Sequence, residues 1–488
     1  MSQEIRNLEP KQLWNKFADL NAVPRPSKKE ERVIEFMVNF GKSLGLETFI
    51  DDIQNVIIRK PATAGMENRK TIVLQSHLDM VHQKNTTTVF DFYKQGIDMY
   101  VDGDWVRAKG TTLGADNGLG VATIMAILES KDIAHPAIDA LFTIDEETGM
   151  TGALGLKGGI LKGDILLNLD TEEDTEIAIG CAGGVDVTVT RKYEQITTPN
   201  NVIAYTLTVK GLNGGHSGMD IHKGLGNANK IMNRLLYNGF ENFALQVAEI
   251  NGGSLRNAIP RESSAKIVVA EKSNDAFTKA FNELSADIKT EFKTTEPNLI
   301  IELTKTEVPA KVMESQAQKN IIKAIYAAQN GVYRMSADIK DLVETSNNVA
   351  RVLIKDGEIL IACLTRSSVE TSKFDLAITL RSTFELAGCE VTFIGSYPGW
   401  TPNVASPILD VLVNVYEKQH NGEKPKVIAC HAGLECGILG TNYPKMDMVS
   451  FGPTIKGAHS PDERACISSV QKYWKYVLEI LVNIPVRG

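Results

Sequence analysis

Thr71-Ile72-Val73-Leu74-Gln75-Ser76-His77-Leu78-Asp79-Met80 is the stretch from which the fold of this 488-residue chain is read. Its β-branched, apolar start predicts a buried strand. The strand period of two brings His77 and Asp79 to one face at the carboxyl end. A histidine that ligates a metal needs a partner on its second ring nitrogen, and a nearby carboxylate is the usual one. Taken alone the triplet is no more than a frequent surface accident, so its meaning depends on what else the chain delivers to the same place.

Upstream, residues 10–20 carry Leu13, Trp14, Phe17 and Leu20 at helical spacing. Pro26-Ser27-Lys28-Lys29-Glu30 has a serine followed three residues later by glutamate, a capping-box pattern that predicts a helix running to about Leu44. Strands are expected at residues 47–50 and 55–59. Downstream of the opening strand come a polar excursion over 82–109, a Gly-rich turn at 110–120 and a helix at about 121–130. A strand at 138–144, Gly-rich turns over 149–159 and a strand at 165–169 follow. Strand and helix alternating through Gly-rich junctions predict a layered, mixed-sheet α/β domain, in which ligands collect beyond the carboxyl ends of the strands. Near residues 183–185 the pattern changes to alternating strands with helices at about 226–237 and 274–292, the style of a separate α+β domain. It reads as two successive strand-and-helix sets, the second from about 317 to 393. After Tyr397-Pro398-Gly399-Trp400 the α/β style returns, with a helix at 407–419 and a strand at 426–429. The expected organisation is a catalytic domain of residues 1–185 and 399–488 interrupted by an inserted domain of residues 186–398.

Composition limits the function classes. With 43% hydrophobic and 23% charged residues the chain is globular, and a net charge of −8 without Lys/Arg blocks gives no footprint for nucleic acid. No basic-flanked leader and no uninterrupted apolar run of roughly 18 residues is present, which predicts a cytoplasmic protein without membrane attachment. The six cysteines, Cys181, Cys363, Cys389, Cys430, Cys436 and Cys466, form no C-x-x-C pair and read as reduced thiols. Any metal must therefore be held by histidine and carboxylate.

Four further stretches offer such groups. Gly114-Ala115-Asp116-Asn117-Gly118 places a carboxylate in a turn, and Asp145-Glu146-Glu147-Thr148-Gly149 puts two adjacent glutamates after an apolar strand. Asn168-Leu169-Asp170 ends the next strand. Far downstream, Gly457-Ala458-His459-Ser460-Pro461-Asp462-Glu463 sets a histidine among turn residues. Singly, each reads equally well as a solvated turn or an acidic cap. Jointly they put acidic groups at the ends of three apolar strands beside two loop histidines. One histidine and one carboxylate per ion, with a further carboxylate shared, suits a hydrolytic zinc pair about 3.5–4 Å apart.

His77-x-Asp79, Gly114-Ala-Asp116-Asn, Asp145-Glu-Glu147-x-Gly149, Asp170 and Ala458-His459-Ser460 resemble the metal motifs of the cocatalytic zinc aminoacylase/carboxypeptidase-like peptidases. The stretches Gly214–Gly218, Asn257–Arg261 and His431–Gly437, together with the long inserted domain, are similar to the aminoacyl-histidine dipeptidase branch of that family. The resemblance implies His77 and Asp170 on one zinc, Glu147 and His459 on the other, and Asp116 bridging them, with a cis peptide at Asp116–Asn117. It further implies Asp79 orienting His77, Glu146 as general base, and His216 as an oxyanion partner supplied by the inserted lid across a homodimer. Cobalt or manganese could stand in for the two zinc ions. Arg366 and Asn257 are candidates for the substrate carboxylate, and Glu435 for its amino end.

The function expected is hydrolysis of unblocked dipeptides of broad specificity, Xaa-His included. An N-acyl amino acid amidohydrolase of the same chemistry and a non-catalytic binding protein keeping the fold are the alternatives. A nucleotide site is disfavoured because Gly118-Leu119-Gly120 lacks a full G-x-G-x-x-G and no Walker lysine follows.

Overall fold

The computed structural model describes residues 3–487 and divides the chain into two compact units. One comprises Met1–Gly180, Trp400–Ala429 and Leu434–Gly488, the other Cys181–Gly399 with Cys430–Gly433. The opening stretch forms a strand at Ile72–His77 that is buried at every position. It lies inside an eight-stranded sheet built, in chain order, from β1 (Glu47–Ile50), β2 (Val56–Lys60), β3 (Ile72–His77) and β4 (Ile138–Thr143). Beyond these come β5 (Ile165–Asn168), β6 (Glu176–Cys181), β7 (Lys426–Cys430) and β8 (Asp447–Ser450). Across the sheet the order is β1-β2-β4-β3-β5-β8-β6-β7. The four central strands β4, β3, β5 and β8 run parallel, while β1, β2 and β6 pair antiparallel toward the edges. Parallel strands end on the same side, and register pairs His77 with Thr143, Gln75 with Asn168, and Asn168 with Ser450. The chain segments that follow these ends therefore leave from one rim, which is why acidic stretches far apart in sequence can meet.

Local chemistry explains where the sequence reading and the structure differ. The helix after Pro26 starts at Glu31, and the Ser27/Glu30 capping box does not form. Ser27 Oγ instead donates to the Met80 carbonyl at 3.2 Å, and the Glu30 carboxylate takes the Lys28 N–H at 2.7 Å because Lys28 is left-handed. The serine is thus claimed by the loop carrying Asp79, and the glutamate by its own near neighbour. The polar excursion over 82–109 contains a hairpin, Met99–Asp102 with Trp105–Ala108. The helix expected near 121 begins at Ala115 and is buried over nearly its whole length. The sheet also continues beyond β5, through β8, β6 and β7.

The second unit is organised on a nine-stranded sheet in which Val343–Lys355 pairs with Glu358–Ser367, and the latter with Gly183–Lys192, all antiparallel. Helices Ala228–Phe243, Asn274–Glu291, Ser315–Ala327 and Glu370–Glu385 contribute their apolar stripes to one core containing Leu235, Phe277, Ile321 and Leu380. The two strand-and-helix sets read from sequence thus share one sheet and one core. His216 lies on a short ribbon, Gly215–His216 paired with Ala258–Ile259. No helix among the described residues is long and apolar enough to cross a membrane.

Candidate active site

His77 closes β3 with its ring buried, 1% exposed. Its Nδ1 faces Asp79 at 3.3 Å, and its Nε2 faces Asp116 Oδ1 at 3.2 Å and Asp170 Oδ1 at 3.5 Å. Asp79 is fixed in turn, since its two oxygens accept the backbone N–H groups of Glu146 at 3.0 Å and Glu147 at 3.3 Å. One carboxylate therefore orients the histidine and pins the turn bearing the two glutamates.

Asp116 stands at the start of helix Ala115–Glu129, after a left-handed Gly114 and before a cis peptide to Asn117. The non-helical φ/ψ of Asp116 and Asn117 turns the carboxylate out of the helix. Oδ1 meets His77, and Oδ2 meets His459 Nε2 at 3.2 Å. His459 also reaches Glu147 Oε2 at 3.0 Å. Asp170, just beyond β5, accepts from Asn117 Nδ2, which also holds the Leu169 carbonyl at 2.8 Å. Asp145 adopts a left-handed φ of 52°, ending the run from β4 and starting the turn Glu146–Gly149. Glu146 Oε2 lies 4.0 Å from His77 Nε2. Donor atoms of His77, Asp116 and Asp170 lie within 4.8 Å of one another, as do those of Asp116, Glu147 and His459. All five sequence-derived ligand candidates thus converge, with Asp116 common to both groups.

Electrostatics at this place favour a cation. Hydrogen bonds to Asp116 and Glu147 push the His459 imidazole up to about 11. Burial opposes charge on His77, yet Asp170, Asp116 and Asp79 hold its pKa well above the usual histidine range. Burial and neighbouring carboxylates raise Asp170 to about 6, and burial likewise pushes Glu146 well above the ordinary glutamate range. One observation is independent of charge: Glu147 Oε1 is buried without any hydrogen-bond partner. A carboxylate oxygen left bare beside two imidazoles and three other carboxylates fits a bound divalent ion, and a nitrogen and oxygen donor set suits zinc, cobalt or manganese.

Glu435, at the start of helix Glu435–Asn442, is fully buried. Its Oε2 accepts from Gln75 Nε2 at 2.6 Å and Thr143 Oγ1 at 2.7 Å, its Oε1 has no partner, and burial raises its pKa to about 7. It lies under the rim of the sheet, in contact with the strands that carry the ligands.

In the second unit, His216 Nδ1 accepts the backbone N–H groups of Gly218 at 3.2 Å and Met219 at 3.0 Å. Two donors on Nδ1 leave the proton on Nε2, so the ring is a hydrogen-bond donor at its outer nitrogen. Burial lowers its pKa to about 4, with Arg366 adding to the effect. Arg366, 4% exposed, donates Nη1 to the Tyr397 hydroxyl at 2.8 Å and Nε to Ser217 Oγ at 3.4 Å. Asn257 is exposed, and its carbonyl accepts the Ser217 N–H at 2.8 Å.

Sequence reading missed several participants. Gln75 and Thr143 look like ordinary strand residues. Tyr397 shows in the sequence only as part of a turn-forming stretch. His431 opens the stretch His431–Gly437, whose resemblance implies no role for it; its Nε2 lies 2.8 Å from Ser346 Oγ and its Nδ1 is buried without a partner. Arg25 and Glu463 likewise carry no signal of their own in the sequence, although Glu463 ends the stretch Gly457–Glu463 that holds His459.

Comparison with known proteins settles the class. Residues 73–483 match peptidase family M20/M25/M40. A cytosol non-specific dipeptidase of Escherichia coli (strain K12) is 44% identical over 484 residues, 99% of this chain and all of that protein. The crystal structure of an aminoacylhistidine dipeptidase from Vibrio alginolyticus superposes with a TM-score of 0.93 at 44% identity, covering 99% of each chain. An M20 family metallo-carboxypeptidase from Sulfolobus solfataricus shares the fold alone, with a TM-score of 0.51 at 13% identity over 96% of this chain and 98% of its own. The chain belongs to the M20/M25/M40 peptidase family and is a hydrolase of peptide bonds. Metallopeptidases of this family use divalent metal ions, and the two groups around Asp116 supply suitable ligands here. The resemblance read from the motifs therefore holds for family and fold.

Proposed function

We propose that this protein is a dinuclear metallodipeptidase of broad specificity, acting on unblocked dipeptides, Xaa-His among them. The observation that carries the reading is the two-sided placement of Asp116, whose oxygens each stand 3.2 Å from a different histidine. Extensive identity to the Escherichia coli and Vibrio dipeptidases supports the substrate class. In this reading His77 and Asp170 hold one ion, Glu147 and His459 the other, and Asp116 is shared. The ions, zinc by preference, supply Lewis-acid polarisation of the scissile carbonyl and acidify the attacking water when bound.

The remaining steps belong to side chains. Glu146 takes a proton from the attacking water on its carboxylate and delivers it to the departing amine nitrogen, for which a burial-raised pKa is suited. Asp79 keeps His77 in one tautomer and orientation. His216, with its proton on Nε2, donates to the developing oxyanion. Arg366 and Asn257 receive the substrate carboxylate, and Glu435 serves the amino end, directly or through the groups it touches. A homodimer formed through the inserted domain of residues 186–398, in the cytoplasm, completes the proposal.

The test is metal analysis with parallel assays on dipeptides and N-acetyl amino acids, for the wild type and Glu146→Ala. Two ions per chain, turnover only of free-amine substrates, and a mutant that keeps its metal but loses turnover are expected. Equal turnover of N-acetyl amino acids would replace the dipeptidase reading with an acylase, and full activity of the mutant would remove Glu146 as base.

A further inference from the structure

The turn that carries Asp116 is gripped from two sides by buried side chains of opposite charge that touch no proposed ligand atom. Glu463, 2% exposed, sits with Oε2 accepting the N–H groups of Leu113 at 2.7 Å and Gly114 at 3.0 Å. Its Oε1 accepts those of Ala115 at 2.7 Å and Asp116 at 3.3 Å. Four successive backbone donors converge on one carboxylate because Gly114 is left-handed, which folds the amides into a concave nest at the start of helix Ala115–Glu129. Arg25, 1% exposed, holds the other side. Its Nη2 donates to the Gly114 carbonyl at 2.5 Å and Asn21 Oδ1 at 3.1 Å, and its Nη1 donates to the carbonyls of Leu78 and Asp79, both at 3.0 Å.

The connectivity is what gives these contacts a purpose. Glu463 lies four residues after His459 and bonds to the turn of Asp116; Arg25 joins that same turn to the two residues after His77. The clamp therefore ties Asp116 to the loop of one histidine through Glu463 and to the loop of the other through Arg25. Space for it is kept by glycines: a Cβ on Gly114 would stand 2.5 Å from Arg25 Nη2, and one on Gly118 2.6 Å from it. Both oxygens of Glu463 and both terminal nitrogens of Arg25 are thus engaged by the backbone of these turns.

We propose that Arg25 and Glu463 are positioning residues that hold Asp116 midway between the two histidines, and so set the affinity of both metal positions together. The inference rests on the proposed metal site. Loss of a group that orients a ligand typically costs about 10–100-fold in metal affinity. Chelator-stripped protein is titrated with Zn2+ by calorimetry against a competing chelator, for the wild type, Glu463→Ala, Glu463→Gln, Arg25→Lys and a control, Asp447→Asn. Asp447 also grips backbone and a capping serine, at Ile408 and Ser406, away from the cluster.

Glu463→Ala and Arg25→Lys are expected to weaken both ions about 10-fold or more, with Glu463→Gln intermediate because one oxygen survives. Asp447→Asn should lower the melting temperature and leave the isotherm unchanged. Wild-type isotherms for Glu463→Gln and Arg25→Lys overturn the proposal, and so does an affinity loss in Asp447→Asn that scales with its stability loss. If Glu463→Ala fails to fold, Glu463→Gln and Arg25→Lys decide. A wild type that binds no Zn2+ would instead sink the metal site itself, leaving the two failures distinct.

Discussion

His77 and His459 are offered the same task by different means. His77 is the last residue of a central parallel strand, its neighbours are fixed by sheet register, and its side chain is 1% exposed. His459 sits in a turn with a left-handed φ of 62° and its side chain is 55% exposed. The sheet places the first; a loop pinned through Glu463 places the second. A site assembled this way has one half that exists wherever the fold exists, and another half that depends on a few polar contacts.

The two halves share one residue, Asp116. Asp116→Ala is expected to abolish binding of both ions and to lower kcat/KM by about 10⁴-fold or more, read from metal analysis and dipeptide kinetics together. Survival of one tightly held ion would show that the halves are independent. Next in size, Glu146→Gln should cut kcat by about 10²–10⁴-fold while metal content and KM change little; a loss appearing wholly in KM would move Glu146 from proton transfer to binding. A smaller effect separates the histidines themselves. In chelator-stripped protein, His77→Ala should reduce stability by about 2–4 kcal/mol, because it opens a cavity and strands buried carboxylates. His459→Ala should cost no more than about 1 kcal/mol, and equal shifts in the unfolding midpoint would erase the distinction. Smallest of all is a protonation state. With its pKa lowered to about 4 by burial and by Arg366, His216 should stay neutral with the proton on Nε2 from roughly pH 5 to 8. Nitrogen-15 NMR checks this, and a midpoint above about pH 6 would remove the neutral donor.

The parts legible in sequence were those that follow from strand logic. Apolar runs ending in Asp79, Glu147 and Asp170 could be aligned because parallel strands end on one rim, which brings His77, Glu147 and Asp170 together. Asp116 and His459 stand in turns outside that rule, and their part in the cluster is implied only by the family resemblance of their motifs. A hairpin at residues 99–108 was also within reach, since Asp102-Gly103 between Tyr100-Val101 and Trp105-Val106 is a strong turn signal that the polar flanks masked. The capping box at Ser27 and Glu30 does not form for a different reason: Ser27 finds its partner at Met80, 53 residues on, and Glu30 turns back to the left-handed Lys28, and local pattern cannot register competition from as far away as Met80. Arg25 and Glu463 were invisible for the same cause. Apart from Asn21 Oδ1, their partners are backbone amides and carbonyls, which carry no side-chain signature, and those of Glu463 lie 347–350 residues away.

The division of the chain also bears on how the protein can be taken apart. The backbone passes between the units at residues 180/181, 399/400, 429/430 and 433/434, and the four-residue piece Cys430–Gly433 docks on the second unit where Ala182 donates its N–H to the carbonyls of Cys430 at 2.9 Å and Ala432 at 3.0 Å. A fragment cut at residues 181–399 would leave behind His431, the partner of Ser346, and expose the amide of Ala182. The second unit is therefore not a cassette that a single splice could have added or remove; it is laced to the rest by a stitch some thirty residues beyond its apparent end.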